Sequence, residues 1–153
     1  MRTGLVTAAS LLLALAIVWP HGSSSKGPYH ADIVRTPGVL NSDVTQANVR
    51  ETICARGWTR TIRPPSDYTN ALKAKQMRDY GVGGPPSNYQ EDHLISLELG
   101  GHPTDPRNLW PEPYPRASEV DAMENELKSR VCSGELSLER AQLQESAVKH
   151  TDG

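Results

Sequence analysis

The chain has 153 residues, a length that suits one domain and a short leader better than two domains. Hydrophobic residues make up 37 %, phenylalanine is absent, and 12 glycines and 12 prolines are present. This composition excludes a large sheet or a long bundle and predicts short elements joined by turns. The net charge of −2, taken as a total, does not indicate nucleic-acid binding.

The N-terminus differs in composition from the remainder. Arg2 precedes an uncharged run over residues 3–20 that is rich in Leu, Ala, Ile and Val, the arrangement of a secretory signal. The run is at the lower limit for a transmembrane helix, so a retained N-terminal anchor is the alternative. We therefore expect a secreted or otherwise extracytoplasmic protein, monomeric, with a signal or anchor over residues 1–20. Residues 21–28 (HGSSSKGP) have the composition of a flexible spacer, and the domain is expected over residues 29–150.

In the first half of the domain, the residues before Val44 predict a cap for a short helix over residues 44–52. Residues 58–63 are β-rich and predict a short strand that stops at Pro64, since proline cannot donate to a ladder. A helix is then expected over residues 68–80, with Gly81 after its end.

The second half predicts strand, loop, strand, helix. The strands are expected over residues 89–95 and 107–110, the second ended by proline, with a Gly-Gly loop between them. The strongest helical pattern covers residues 117–130, and a last helix is expected over residues 138–148. Apolar residues recur at helical spacing in the first of these helices and predict a buried face: Val120, Met123, Leu127 and Val131.

Two cysteines, Cys54 and Cys132, lie in the part that would be exported. An even count in an oxidising compartment favours one disulfide, with two buried free thiols as the alternative. In the chain-entropy model such a long loop gives the bond a stabilising effect of up to roughly 4 kcal/mol.

The two predicted strands carry the residue types that chemistry on phosphate esters needs. Asp92 offers a hard oxygen to a divalent cation, and His93 beside it is a candidate general base. Asn108 follows His93 by fifteen residues, and its donor and acceptor suit a clamp on both ends of the loop. Strand alternation points the Asp92 and His93 side chains to opposite sides unless the chain bends there.

The block DHLISLELGGHPTDPRNLW (residues 92–110) resembles the HNH, or His-Me finger, endonucleases. These share an Asp-His pair, an Asn at a similar distance further on, and a following helix. The preceding segment GWTRTIRPPSDYTNALKAKQMRDYG (residues 57–81) is similar to what stands before the motif in small exported actinobacterial-type proteins of this kind.

The resemblance implies an α+β fold, with a ββα-metal core and additional helices in a single domain. It implies that His93 deprotonates water for attack on a phosphodiester and that Asp92 binds one divalent ion, Mg²⁺ with Mn²⁺ or Zn²⁺ as alternatives. Asn108 would hold the loop and the catalytic histidine in place. The function implied is a metal-dependent endonuclease of low sequence specificity.

The chain departs from the family pattern early in the last helix of the motif. Where many members have a final His or Asn, this chain has Arg116 and Ala117, which are not credible ligands. The nearest candidates lie further along the helix at spacings of three and four: Asp121, Glu124 and Asn125.

Basic residues concentrate between residues 50 and 78, and acidic residues between residues 119 and 139. This distribution fits phosphodiester chemistry, because the basic segment could face an anion while the acidic segment beside it holds a cation. Ordinary surface charge is the alternative. The residues expected to contact DNA or RNA are Arg60, Arg63, Lys73, Lys75 and Arg107. No stable protein partner is implied.

Two other functions remain open at this point. One is an exported binding or structural domain that keeps the ββα scaffold while its metal site has decayed, since fold does not imply function. The other is an envelope protein held by an uncleaved N-terminal segment.

Overall fold

The computed structural model describes residues 30–151. The expected signal or anchor and the spacer therefore lie outside the described residues. Among residues 30–151, no helix is both long enough and apolar enough to cross a membrane. The regular elements, in chain order, are α1 (Trp58–Ile62), α2 (Ser66–Asp79), β1 (Tyr89–His93), β2 (Leu109–Pro113), α3 (Arg116–Ser133) and α4 (Leu138–Lys149).

The two strands form an antiparallel pair that places the motif residues at one end of a small sheet. Asp92 pairs with Trp110, and His93 pairs with Leu109. Helices α2 and α3 both contact this sheet. Mixed helices around a two-stranded sheet confirm the α+β class in its coarse form.

The prediction that proline ends the second strand was wrong. Strand β2 continues to Pro113, and Pro111 lies opposite Glu91. Because β2 has a single neighbour in the described sheet, its outer edge has no ladder bond for proline to remove.

The strand predicted over residues 58–63 was also wrong, because Trp58–Ile62 forms helix α1. Gly57 precedes it with a φ of +83°, and the amide of Arg63 donates to the carbonyl of Thr59 over 3.1 Å. The side chain of Trp58 packs against the main core. These local bonds and the packing of one side chain outweigh the β propensity of a short segment that pairs with neither of the two described strands.

The helix predicted over residues 44–52 was wrong, because the chain forms a single 3₁₀ turn at Gln46–Asn48 and further turns there. The other three predicted helices form with shifted ends. Helix α2 begins two residues earlier than expected, α3 runs three residues further, and α4 includes Lys149 as its last residue.

The main core lies where α3 and α4 pack on the loop between the strands. Of the predicted buried face of α3, Val120, Leu127 and Val131 are buried, and Met123 packs partly buried against the same cluster. A second cluster surrounds Trp110, whose side chain is fully buried and anchors this part of the core.

The predicted disulfide is present. Cys54 and Cys132 are bonded, with their Cα atoms 5.7 Å apart. The bond ties the segment before α1 to the last turn of α3.

Candidate functional site

Asn108 holds the loop between the strands at both ends. Its Oδ1 accepts a hydrogen bond from the amide of Ile95 over 3.0 Å, and its Nδ2 donates to the carbonyls of Ile95 and His102, each over 3.0 Å. The side chain is fully buried. This is the two-ended clamp that the sequence predicts for an Asn at this position.

The clamp requires glycine at position 101. A Cβ added to Gly101 would lie 1.7 Å from the carbonyl oxygen of Ile95 and 2.7 Å from Nδ2 of Asn108. Any side chain here would therefore occupy the space of the clamp itself.

A backbone carbonyl determines which ring nitrogen of His93 carries the proton. The ring is 7 % exposed, and its Nε2 lies 3.0 Å from the carbonyl oxygen of Pro103. Because a carbonyl only accepts, Nε2 must carry the proton, and Nδ1 is left as the basic atom. Burial lowers the pKa of His93 below its usual value, although the Pro103 carbonyl and the Asp92 charge oppose this effect. The imidazole is therefore neutral at neutral pH and able to accept a proton.

Asp92 has different partners from His93. Its Oδ2 accepts a hydrogen bond from Nζ of Lys149 over 2.8 Å, and its Oδ1 accepts one from Nε2 of Gln90 over 3.1 Å. Burial acts to raise the pKa of Asp92, but the Lys149 charge and the hydrogen bonds outweigh it and hold that pKa below its usual value. The carboxylate is therefore ionised and is engaged inside the protein.

Lys149 lies at the centre of the candidate site. Its side chain is 0 % exposed, and its Nζ donates to the carbonyl of His93 over 2.5 Å, to Oε1 of Glu124 over 2.6 Å and to Asp92. Oε1 of Glu145 lies 3.3 Å from the same nitrogen. Burial acts to lower the pKa of Lys149, but the surrounding carboxylates outweigh it and raise that pKa above its usual value.

Carboxyl groups outnumber the ammonium in this cluster. Burial raises the pKa of Glu124 to about 9 and the pKa of Glu112 to about 8. Oε1 of Glu145 accepts from the amide of Ser96 over 2.9 Å, while its Oε2 has no hydrogen-bond partner among the described residues. Glu112 and Arg116 form an ion pair that borders the cluster, with Oε1 of Glu112 3.3 Å from Nε of Arg116.

Of the three helix residues expected to complete a metal site, the structure brings Glu124 into the cluster. Asn125 is exposed, and its Nδ2 donates to the carbonyl of Asp121 over 2.8 Å. Asp121 is exposed as well, although burial and then the Asp92 charge raise its pKa. In the described part of the chain, no group of three or more His, Cys, Asp or Glu side chains is arranged to hold a metal ion.

The oxygen atoms around Lys149 are nonetheless of the type that Mg²⁺ prefers. Three carboxylates and one carbonyl point at a single centre, but an ammonium fills that centre. With Lys149 in place, the residues present do not fit a divalent ion.

The basic residues predicted to contact nucleic acid differ in their partners. Lys75 pairs with Asp79 over 2.6 Å, Arg107 pairs with Asp105 over 2.7 Å, and Nζ of Lys73 donates to a strand carbonyl. The guanidinium of Arg60 folds over the glycine before α1. Arg63 is exposed, and its charge is the smallest of the effects on the lowered pKa of His93, after burial and the Lys149 charge.

Sequence reasoning missed Lys149 and Glu145. Both lie on α4 and are spaced i, i+4, so that they share one face of the helix. The i, i+4 spacing of a glutamate and a lysine was a signal in the sequence for an ion pair on this helix. The Asp-His motif, however, gives no reason to look for a partner of Asp92 in a helix that begins 45 residues after His93.

No protein-family model matches the chain, and no curated protein and no solved structure shows significant similarity to it. The resemblance to HNH nucleases therefore depends on the motif residues of the sequence alone.

Proposed function

We propose that this protein hydrolyses phosphodiester bonds in nucleic acid, with His93 as the general base. The observation that supports this best is the state of the imidazole. Its Nε2 proton is held by the carbonyl of Pro103, and burial lowers its pKa. A neutral histidine with a free Nδ1 is suited to take a proton from water, a contribution of about 10²–10⁴ in rate.

Arg63 is proposed as the phosphate-binding residue of this site. It is exposed, and its charge acts on His93. A guanidinium forms paired hydrogen bonds with phosphate oxygens and keeps its charge at any physiological pH. It would orient the scissile phosphate and stabilise the negative charge that develops when water attacks.

We propose that the loop clamp formed by Asn108 positions His93, the general base. Asn108 fixes the carbonyl of His102 and both backbone groups of Ile95. Pro103, which orients the His93 ring, directly follows one of these clamped residues. Loss of the clamp would therefore release the group that orients His93.

The test is cleavage of supercoiled plasmid and of single-stranded RNA by the purified protein, with Mg²⁺, with Mn²⁺ and with EDTA. His93→Ala should abolish cleavage, and Arg63→Ala should weaken it. The matched controls are His30→Ala and Arg56→Ala, both at exposed positions outside the site. No cleavage of either substrate by the folded wild type would contradict the proposal.

A second function, binding of nucleic acid without hydrolysis, is favoured by the state of Lys149. All three of its N–H groups point to oxygens inside the protein, and the side chain is 0 % exposed. This ammonium holds the oxygens that a divalent ion would need, so metal-dependent hydrolysis would be lost while the scaffold that binds nucleic acid is kept. Fluorescence anisotropy with labelled DNA and RNA would show binding that His93→Ala leaves unchanged, without any cleavage.

A further inference from the structure

We infer that the ammonium of Lys149 is the resident cation of this site and that it excludes divalent ions from the position that the motif residues would otherwise offer them. This inference goes beyond the proposed hydrolysis and does not depend on it, because it concerns which cation the carboxylates hold.

The first support is the geometry around Nζ. Four oxygens surround it, from Asp92, from the carbonyl of His93, from Glu124 and from Glu145. They come from β1, α3 and α4, so three separate elements converge on one point. Such convergence of hard oxygens from distant parts of a chain is how proteins build cation sites.

The second support is the balance of charge. Among the described residues, Lys149 is the cation that these three carboxyl groups share, and Oε2 of Glu145, fully buried, has no hydrogen-bond partner there. Asp92 is ionised, and a buried, ionised carboxylate without a cation is strongly unfavourable. The cluster therefore needs a positive charge at its centre, and α4 supplies it.

The third support is the lack of space for both cations. Mg²⁺ requires oxygens at about 2.0–2.1 Å in near-octahedral geometry and keeps several waters. The Lys149 side chain is closed to solvent, and its Nζ already lies 2.5–2.8 Å from three of the four oxygens. A divalent ion would have to expel a buried, fully hydrogen-bonded ammonium.

The inference is tested with the full purified chain and Mn²⁺, whose binding is read by electron paramagnetic resonance and by thermal unfolding. The wild type is expected to show no site-bound Mn²⁺ and no change in Tm between Mn²⁺ and EDTA. Lys149→Met is expected to unfold at a lower Tm in EDTA and to recover several degrees in Mn²⁺, because the ion takes the place of the ammonium. Adding Asp92→Asn to this variant should remove the recovery.

The matched control is Lys128→Met, which removes the lysine of a partly exposed pair, 3.0 Å from Glu98. It should show no dependence on Mn²⁺. Should Lys149→Met fail to fold, the double variant Glu145→Gln, Lys149→Met retains Asp92 and Glu124 with one buried charge fewer, and the same recovery in Mn²⁺ is expected of it.

Two outcomes would overturn the inference. One is a Mn²⁺ ion bound by the wild type and lost in Asp92→Asn. The other is a folded Lys149→Met or double variant whose Tm does not respond to Mn²⁺. Cleavage is scored separately: cleavage by the wild type that persists in EDTA agrees with the inference, whereas absence of cleavage bears on the proposed hydrolysis alone.

Discussion

Nζ of Lys149 donates a hydrogen bond to Oδ2 of Asp92 over 2.8 Å, joining the last residue of α4 to the residue before the candidate base. The two residues are 57 positions apart in the chain. This contact gives the carboxylate of the Asp-His pair an internal cation, and the stability of the fold should depend on it.

Asp92→Asn should lower the free energy of unfolding by about 3–5 kcal/mol, because one partner of a buried pair is removed and the ammonium loses a charged acceptor. The measurement is urea unfolding at neutral pH. The matched control is Asp79→Asn, which breaks an exposed pair with Lys75 and should change stability very little. Equal effects of the two substitutions would mean that the buried pair does not stabilise the fold.

Asn108→Asp should lower stability by about 2–4 kcal/mol, because a carboxylate is unable to donate to the carbonyls of Ile95 and His102. Amide hydrogen exchange at Ile95 should accelerate as the loop opens. Asn125→Asp, at an exposed position, serves as the control. Unchanged exchange at Ile95 would show that the side chain does not hold the loop.

Gly101→Ala should destabilise the protein by at least about 3 kcal/mol, since the new methyl group would meet the Ile95 carbonyl and the Asn108 amide at impossible distances. Differential scanning calorimetry measures the loss. At Gly83, an added Cβ meets nothing within 4 Å, so Gly83→Ala should have little effect. A normal Tm for Gly101→Ala would contradict the close approach of the two backbone segments.

Glu91→Gln should make the protein more stable than the wild type at pH 8 but not at pH 4. Burial raises the pKa of Glu91 from 4.5 to about 8. The stability linked to this proton is complete below the unfolded pKa and is lost as pH rises through the folded one.

The advantage of Glu91→Gln should therefore grow between about pH 4.5 and pH 8, reaching about 1–3 kcal/mol after allowance for solvent screening. Urea unfolding across this range measures it. Glu119→Gln, at an exposed position, is the control. An advantage that does not vary with pH would mean that Glu91 ionises as it does in the unfolded chain.

The local features of the site could be predicted from sequence. The two strands, the helices on either side of them and the clamp by Asn108 all follow from residue types and spacing over a short stretch of chain. Likewise, the even count of two cysteines favoured a disulfide, which the structure contains. These features depend on local backbone preference, hydrophobic periodicity or simple pairing, which a sequence displays directly.

Where prediction failed, long-range packing had decided the outcome. Trp58–Ile62 forms a helix and not a strand because Trp58 packs on the core and no strand within residues 30–151 pairs with it. Strand β2 passes through Pro111 because its outer edge pairs with no other strand of the described sheet. Neither the packing of Trp58 on the core nor the position of β2 at a sheet edge can be read from the sequence of the segment itself.

The sequence by itself indicated the α+β class, favoured the disulfide over two free thiols, and placed Asp92, His93 and Asn108 at the two ends of one loop. Only the tertiary structure decided that the ammonium of Lys149 faces Asp92. Burial makes each carboxylate require a partner. The packing of α4 against α3 and β1 determines which partner is within reach.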